Sequence, residues 1–328
     1  MDYSRENKVV DIMQVIEAIA KSEKPILSLE ITPPNKGTSI DELYRSMDEL
    51  IAFNPSFINV TYHQAQVVYE ERGEIIYRVP KRKKPGTVGI CASISNRYSV
   101  HTIPHFICGG FSQYETEDAL IDLHYLGIKN ILALRGDAHN RESTFIPHRN
   151  GHSFASGLVK QIANMNKGMY LENLDEPVPT NFCIGVAGYP EKHFESPNRE
   201  KDLEHLKFKV DQGAHYIMTQ MFFDFKYYKS FVESAREAGI TVPIIPGIKP
   251  IASTRQLTAI PRIFHINIPN RIVKDMESAR TPEAVCKAAT KHLVEMCEKL
   301  IDFGVPGLHL YTMGRGRATR ELLKALGL

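Results

Sequence analysis

The chain is short of the features that mark secreted, metal-bound or membrane-spanning proteins. Its five cysteines are Cys91, Cys108, Cys183, Cys286 and Cys297. The number is odd and no two stand in CxxC spacing. That argues against a disulfide framework and a zinc site, and predicts buried, inert thiols in a reducing cytoplasm. No stretch approaches the ~18 uninterrupted apolar residues of a membrane span. The opening segment MDYSRENKVVDIM is polar, so no signal peptide is expected. Net charge is only +2, from 40 basic and 38 acidic residues. Nothing in that balance points to nucleic acid or an anionic membrane. The one basic run, Lys81-Arg82-Lys83-Lys84 before Pro85 and Gly86, reads as a solvated loop before a strand. No GxGxxG or GxxxxGK[ST] loop follows any strand candidate, which disfavours an open nucleotide-binding sheet. The GxSxG elbow of a hydrolase is missing as well.

What is present is alternation. The 328 residues are 43% hydrophobic and 24% charged, the balance of a globular enzyme. Eight short apolar runs read as strands: Pro25 to Thr32, Phe57 to Tyr62, TVGICASIS from Thr87, NILALRGD from Asn130, NFCIGVAGYP from Asn181, YIMTQMFFD from Tyr216, VPIIPGIK from Val242, and GLHLYTM from Gly307. Segments of helical period lie between them. Ser39 and Glu42 stand in capping-box spacing, and Leu43, Met47, Leu50 and Ile51 follow on one face. Other helices stop at Gly127, Gly213 and Gly239. The stretch from Pro269 to Gly304 predicts more than one helix, and Arg317 to Leu326 the last. Strand–helix alternation implies right-handed crossovers and a parallel sheet, and eight units predict a closed (β/α)8 TIM barrel. No linker divides residues 1–328, so a single domain is expected.

In such barrels chemistry sits at the C-terminal ends of the strands. Glu30 ends the first run within an otherwise apolar setting of Ile26, Leu27, Leu29 and Ile31. Desolvation there should favour its protonated form, as suits a general acid; a structural ion pair is the alternative. In Leu134-Arg135-Gly136-Asp137, Gly136 would let the backbone approach a flat ligand and Asp137 would offer an acceptor, or cap the next helix. His63, His105 and His193 fall on three separate loops, with His105 and Cys108 placed after the third strand. No HxH or HExxH spacing accompanies them, so no metal is expected. Lys249 at the seventh strand end keeps open a flavin-free lyase working through a Schiff base. A non-catalytic partner barrel is a third reading.

Taken in order, these strand ends resemble the methylenetetrahydrofolate reductases of the short bacterial type. The matching strings are LEITPP at 29–34, VTYH at 60–63, PHFIC at 104–108, ALRGD at 133–137, GYPEKH at 188–193, DLEHLKFKVDQGA at 202–214, TQMFFD at 219–224, IIPGIKPI at 244–251 and LYTMGR at 310–315. They cover nearly the whole chain. The resemblance implies an FAD enzyme that NADH or NADPH reduces and that passes a hydride to 5,10-methylenetetrahydrofolate. It implies Glu30 as general acid and Asp137 beside flavin and pterin. It places FAD on Thr61, His105, Leu134, Arg135, Gly136, Asp137, Phe154, Ala155, Tyr189, His193, Asp202 and Lys209. Gln220, Tyr311 and Arg315 match folate-binding positions. A cytoplasmic dimer or tetramer is implied, with no nucleic-acid or membrane partner. The chain departs from the family pattern at Ile31 and Thr32, Phe154, Thr254 and Gly314. Larger eukaryotic members append an S-adenosylmethionine-binding regulatory domain; the chain ends at Leu328, so that feedback is not expected.

Overall fold

The computed structural model describes residues 13–138, 144–312 and 316–328. Eight strands close a parallel barrel: β1 (Ile26–Ile31), β2 (Phe57–Val60), β5 (His101–Ile107), β6 (Asn130–Leu134), β7 (Cys183–Gly188), β8 (Tyr216–Met221), β9 (Ile244–Ile248) and β10 (Gly307–Tyr311). The order around the barrel is β1-β10-β9-β8-β7-β6-β5-β2, so β1 and β10 meet to close it. Between β2 and β5 the chain inserts an antiparallel hairpin, β3 (Gln66–Arg72) and β4 (Ile75–Lys81). The helices are α1 (Val15–Lys21), α2 (Ile40–Ile51), α3 (Thr87–Tyr98), α4 (Gln113–Tyr125), α5 (Ala155–Met165), α6 (Arg199–Asp211), α7 (Phe225–Glu237), α8 (Arg255–Phe264), α9 (Asn270–Ser278), α10 (Pro282–Asp302) and α11 (Gly316–Ala325).

Strand period two sorts the side chains. On β1, Leu27, Leu29 and Ile31 belong to the core between barrel and helices, and Ile26 to a second cluster inside the barrel. Ser28 and Glu30 share Ile26's face, so Glu30 points into the lumen near its C-terminal end. The lower lumen is apolar, filled by Ile26, Phe57, Ile103, Leu132, Cys183, Tyr216, Met218 and Ile245. Helix α1 closes it from below: Val15 and Ala18 join that cluster. The Val15 amide donates to Asn130 Oδ1 at 2.9 Å, and Asn130 Nδ2 donates to the Met13 carbonyl at 3.0 Å.

Two expectations need correction. TVGICASIS is helix α3, and the third barrel strand is His101–Ile107. Thr87, Ile90, Cys91 and Ile94 are the buried positions of α3, a helical i, i+3, i+4, i+7 stripe. His105 therefore lies within a strand and not in the loop after one; Cys108 directly follows that strand. The basic run is also displaced: Lys81 ends β4, and Arg82 to Lys84 lead into helix α3. All five cysteines are free and buried. Burial pushes the Cys91, Cys108 and Cys297 thiols up to about 12, far from thiolate reactivity. No helix among the described residues is long and apolar enough to cross a membrane.

Candidate active site

Glu30 stands at the centre of the polar upper lumen and is 7% exposed. Its Oε2 lies 3.7 Å from His105 Nε2 and 3.9 Å from His309 Nε2. Below it, Ser28 Oγ accepts from Asn59 Nδ2 at 2.7 Å and lies 3.2 Å from His309 Nδ1. That contact fixes the His309 ring so that Nε2 faces the carboxylate. His105 Nε2 and His309 Nε2 are buried and have no hydrogen-bond partner among the described residues. They are donors or acceptors held ready at Glu30. Thr312 Oγ1 donates to the Glu30 carbonyl at 2.6 Å and anchors the backbone.

The protonation expected of Glu30 is reversed. Burial does push its carboxyl upward, as the strand setting implies. The His309 contact and the positive fields of His105, His309 and Lys249 outweigh burial, so the net shift is downward. The alternation that buried the carboxylate also put His309 and His105 on the lumen face beside it. Burial itself drives the His105 imidazole down to about 4.

Lys249 Nζ donates to the Tyr311 carbonyl at 2.9 Å and is buried. Tyr311 OH in turn donates to the Thr219 carbonyl at 2.7 Å. Gly247 makes room for that ring: a Cβ there would sit 2.6 Å from the ring and 2.2 Å from the Thr219 carbonyl. Strand β8 is irregular between Met218 and Met221, a bulge that re-aims residues at the rim. Gln220 lies in it, half-buried, its Oε1 accepting from the Met221 amide at 2.9 Å.

The remaining positions divide into neighbouring sectors. Thr61, just beyond β2, places Oγ1 3.1 Å from His63 Nε2. Past β6, Arg135 makes a bidentate ion pair with Glu195 at 2.5 and 2.9 Å and lies over the Phe145 ring. Gly136 has φ +88°, and a Cβ there would stand 3.3 Å from Ile107. Asp137 is exposed, and its charge acts on His63, Arg135 and Tyr189. Past β7, Tyr189 and His193 pack edge to face at 4.6 Å. Asp202 on α6 accepts from the His193 amide and from Ser196 Oγ. Lys209 Nζ donates to the Ala187 carbonyl at 2.6 Å. Burial lowers its ammonium to about 8 against the opposing pull of Asp202. Phe154 is 65% exposed and precedes Ala155, which opens α5 without a side-chain cap.

The structure thus gathers Glu30, His105, Lys249 and Tyr311 in one lumen cluster and Arg135, Tyr189, His193, Asp202 and Lys209 on the adjoining β6–β7 sector. Arg315 and Gly314 lie outside the described residues. Thr254 is the N-cap of α8. The residue-by-residue reading of the strand ends missed His309, Ser28 and Asn59. Alternation within GLHLYTM would have found His309, since it shares a face with Tyr311. Among the described residues no group of three His, Cys, Asp or Glu side chains could hold a metal ion.

A closed (β/α)8 barrel with a buried carboxylate framed by two imidazoles at its C-terminal rim belongs to the class of α/β-barrel proteins that carry their sites on the strand ends. The family model for methylenetetrahydrofolate reductase matches residues 15–327, and the chain belongs to that family. Among its relatives is the probable methylenetetrahydrofolate reductase (NADPH) of Caenorhabditis elegans, 33% identical over 319 residues, covering 95% of this chain and 44% of the relative. The 5,10-methylenetetrahydrofolate reductase of Pectobacterium carotovorum is 28% identical over 304 residues, covering 92% of this chain and 90% of that one. The chain spans about half the length of the eukaryotic relatives it matches. Among solved structures, an uncharacterized Clostridium thermocellum protein that binds two copies of 5-methyl-5,6,7,8-tetrahydrofolic acid superposes with TM-score 0.56 at 16% identity, covering 95% of this chain and 98% of that one. That likeness bears on the fold alone.

Proposed function

We propose that this chain reduces 5,10-methylenetetrahydrofolate to 5-methyltetrahydrofolate with NADH or NADPH, using bound FAD, as a cytoplasmic dimer or tetramer. The observation that carries the reading is Glu30, an ionisable carboxyl held between His105 and His309 at the rim of a barrel of this family.

The β6–β7 sector suits a dinucleotide flavin. At Gly136 the backbone turns through positive φ with no side chain on its face. The first-turn amides of α5 have no side-chain cap, and such a helix start attracts phosphate. Arg135 and Lys209 supply cations, and exposed Phe154 an aromatic surface. When bound, FAD would supply a carrier that takes up and hands on hydride. The protein's part is to orient and to move a proton. Glu30 gives a proton to the substrate nitrogen as the methylene bridge opens. Asp137, Gln220 and Tyr311 position the pterin and its side chain. Lys249 is committed to the Tyr311 carbonyl, which favours a cation supporting Glu30 over a Schiff-base nucleophile.

The test is an absorption spectrum of the purified protein under anaerobic conditions. Flavin bands that bleach with NADH or NADPH and return on adding methylenetetrahydrofolate are expected. A protein that takes up no flavin after incubation with FAD would overturn the reading.

A further inference from the structure

Strands β8 and β9 fall out of step at the rim. Met218 pairs with Ile245 and Met221 with Gly247, so Thr219 and Gln220 together face the single residue Pro246. Proline has no N–H to give a ladder, and an extra residue opposite it is one way a sheet accommodates the gap. Gly247, the next residue of β9, donates its buried amide to Thr219 Oγ1 at 2.9 Å, so a side chain serves as the acceptor. The Thr219 carbonyl takes the Tyr311 hydroxyl at 2.7 Å. Tyr311 stands on β10, and β9 lies between β10 and β8, so its ring crosses Gly247 to reach Thr219. Gln220 is held from its other side: its Oε1 accepts from the Met221 amide at 2.9 Å, which leaves its Nε2 amide as the group to offer a ligand.

One threonine therefore serves two neighbours, its hydroxyl holding the bulge that carries Gln220 and its carbonyl holding the ring of Tyr311. It is fully buried, so it reaches a ligand only through them. We propose that Thr219 is a positioning residue for folate binding: by satisfying the Gly247 amide through its hydroxyl, it sets the offset between β8 and β9 and with it the places of Gln220 and Tyr311. The effect on folate rests on the functional reading above; the bulge itself does not. Valine has the shape of threonine but no acceptor. At position 219 it would leave the Gly247 amide buried and unpartnered, an arrangement that proteins avoid, and the two strands would shift to relieve it. Serine keeps the acceptor and loses only a methyl group.

The experiment compares the flavin-loaded natural protein with its Thr219→Val and Thr219→Ser variants by two measurements. The first is hydrogen exchange of the Gly247 amide, followed by NMR on protein labelled at glycine nitrogen. It should be slow in the natural protein and in Thr219→Ser, and faster by at least about tenfold in Thr219→Val. The second is equilibrium binding of 5-methyltetrahydrofolate. Thr219→Val should bind about tenfold more weakly, and Thr219→Ser should recover most of that loss. The visible spectrum of the flavin reports that the β6–β7 sector is intact in each variant. Undiminished folate affinity in Thr219→Val, or an equal loss in both variants, overturns the proposal, since the hydroxyl would then not be what matters. Rapid exchange of Gly247 in the natural protein also overturns it, and that result needs no variant to fold. If the natural protein binds no folate while Gly247 exchanges as expected, the functional reading has failed and the proposed role in folate binding falls with it, a different result from either of the others.

Discussion

Ser28 on β1 and His309 on β10 are register partners, and the 3.2 Å contact between Oγ and Nδ1 turns the other ring nitrogen of His309 towards Glu30, two residues further along β1. A hydroxyl one layer down thus sets the environment of the carboxyl above it.

Glu30→Gln keeps the shape of the side chain and removes its proton. Reduction of the flavin by NADH or NADPH should continue, and the folate half-reaction should fall by at least about a hundredfold. Stopped-flow absorbance separates the two. Survival of both half-reactions would make Glu30 a structural residue.

Because the Glu30 carboxyl is held below its ordinary value, it is mostly ionised near neutral pH. A step that needs its proton should then quicken by about tenfold for each unit that pH falls, until the group itself titrates. The folate half-reaction should show this slope and the nicotinamide half-reaction should not. A folate step flat between roughly pH 8 and roughly pH 6 would place the proton on another group.

His105 carries a stability signature. Its imidazole titrates at about 4 in the fold against 6.5 for an unperturbed histidine. Between those values the unfolded chain binds the extra proton, so stability falls as pH drops through that window, by up to about 3 kcal/mol from this group. Glu30, also lowered, pushes the same way below 4.5. Denaturant titrations at the two ends of the window should show the loss, and His105→Asn should flatten it.

Gly136→Ala places a Cβ 3.3 Å from Ile107 at φ +88°. The strain should cost about 1–2 kcal/mol and tilt the loop that is assigned to the flavin. The ratio of flavin to protein absorbance should drop, with a small fall in Tm. Full flavin occupancy would remove Gly136 from the cofactor site.

Asn130→Ala removes two of the bonds that hold α1 under the barrel, leaving those of its N-cap Gln14 to Asn181, and strips the buried Val15 amide of its acceptor. A loss of about 1–3 kcal/mol is expected in denaturant titration.

The barrel was legible because period-two runs such as ILSLEI and helical segments ending in glycine alternate through most of the chain. It was misread where local signals conflict. The true third strand, HTIPHFI, holds Pro104 and two histidines, which lower strand propensity, while α3 is rich in β-branched residues. The hairpin had its signal: two β-rich runs around Gly73, which takes φ +65° in a two-residue loop. Glu30 was legible as a buried carboxylate from its own strand. Its proton level was not, because His105 and His309 come from strands distant in sequence, and only barrel closure brings them within 4 Å.

Helix α1 leaves the lumen open at one end. In the proposed reaction, nicotinamide and folate would share the one end of the lumen that α1 does not close, so each would have to vacate it for the other. An excess of either one should then slow turnover by obstructing its counterpart.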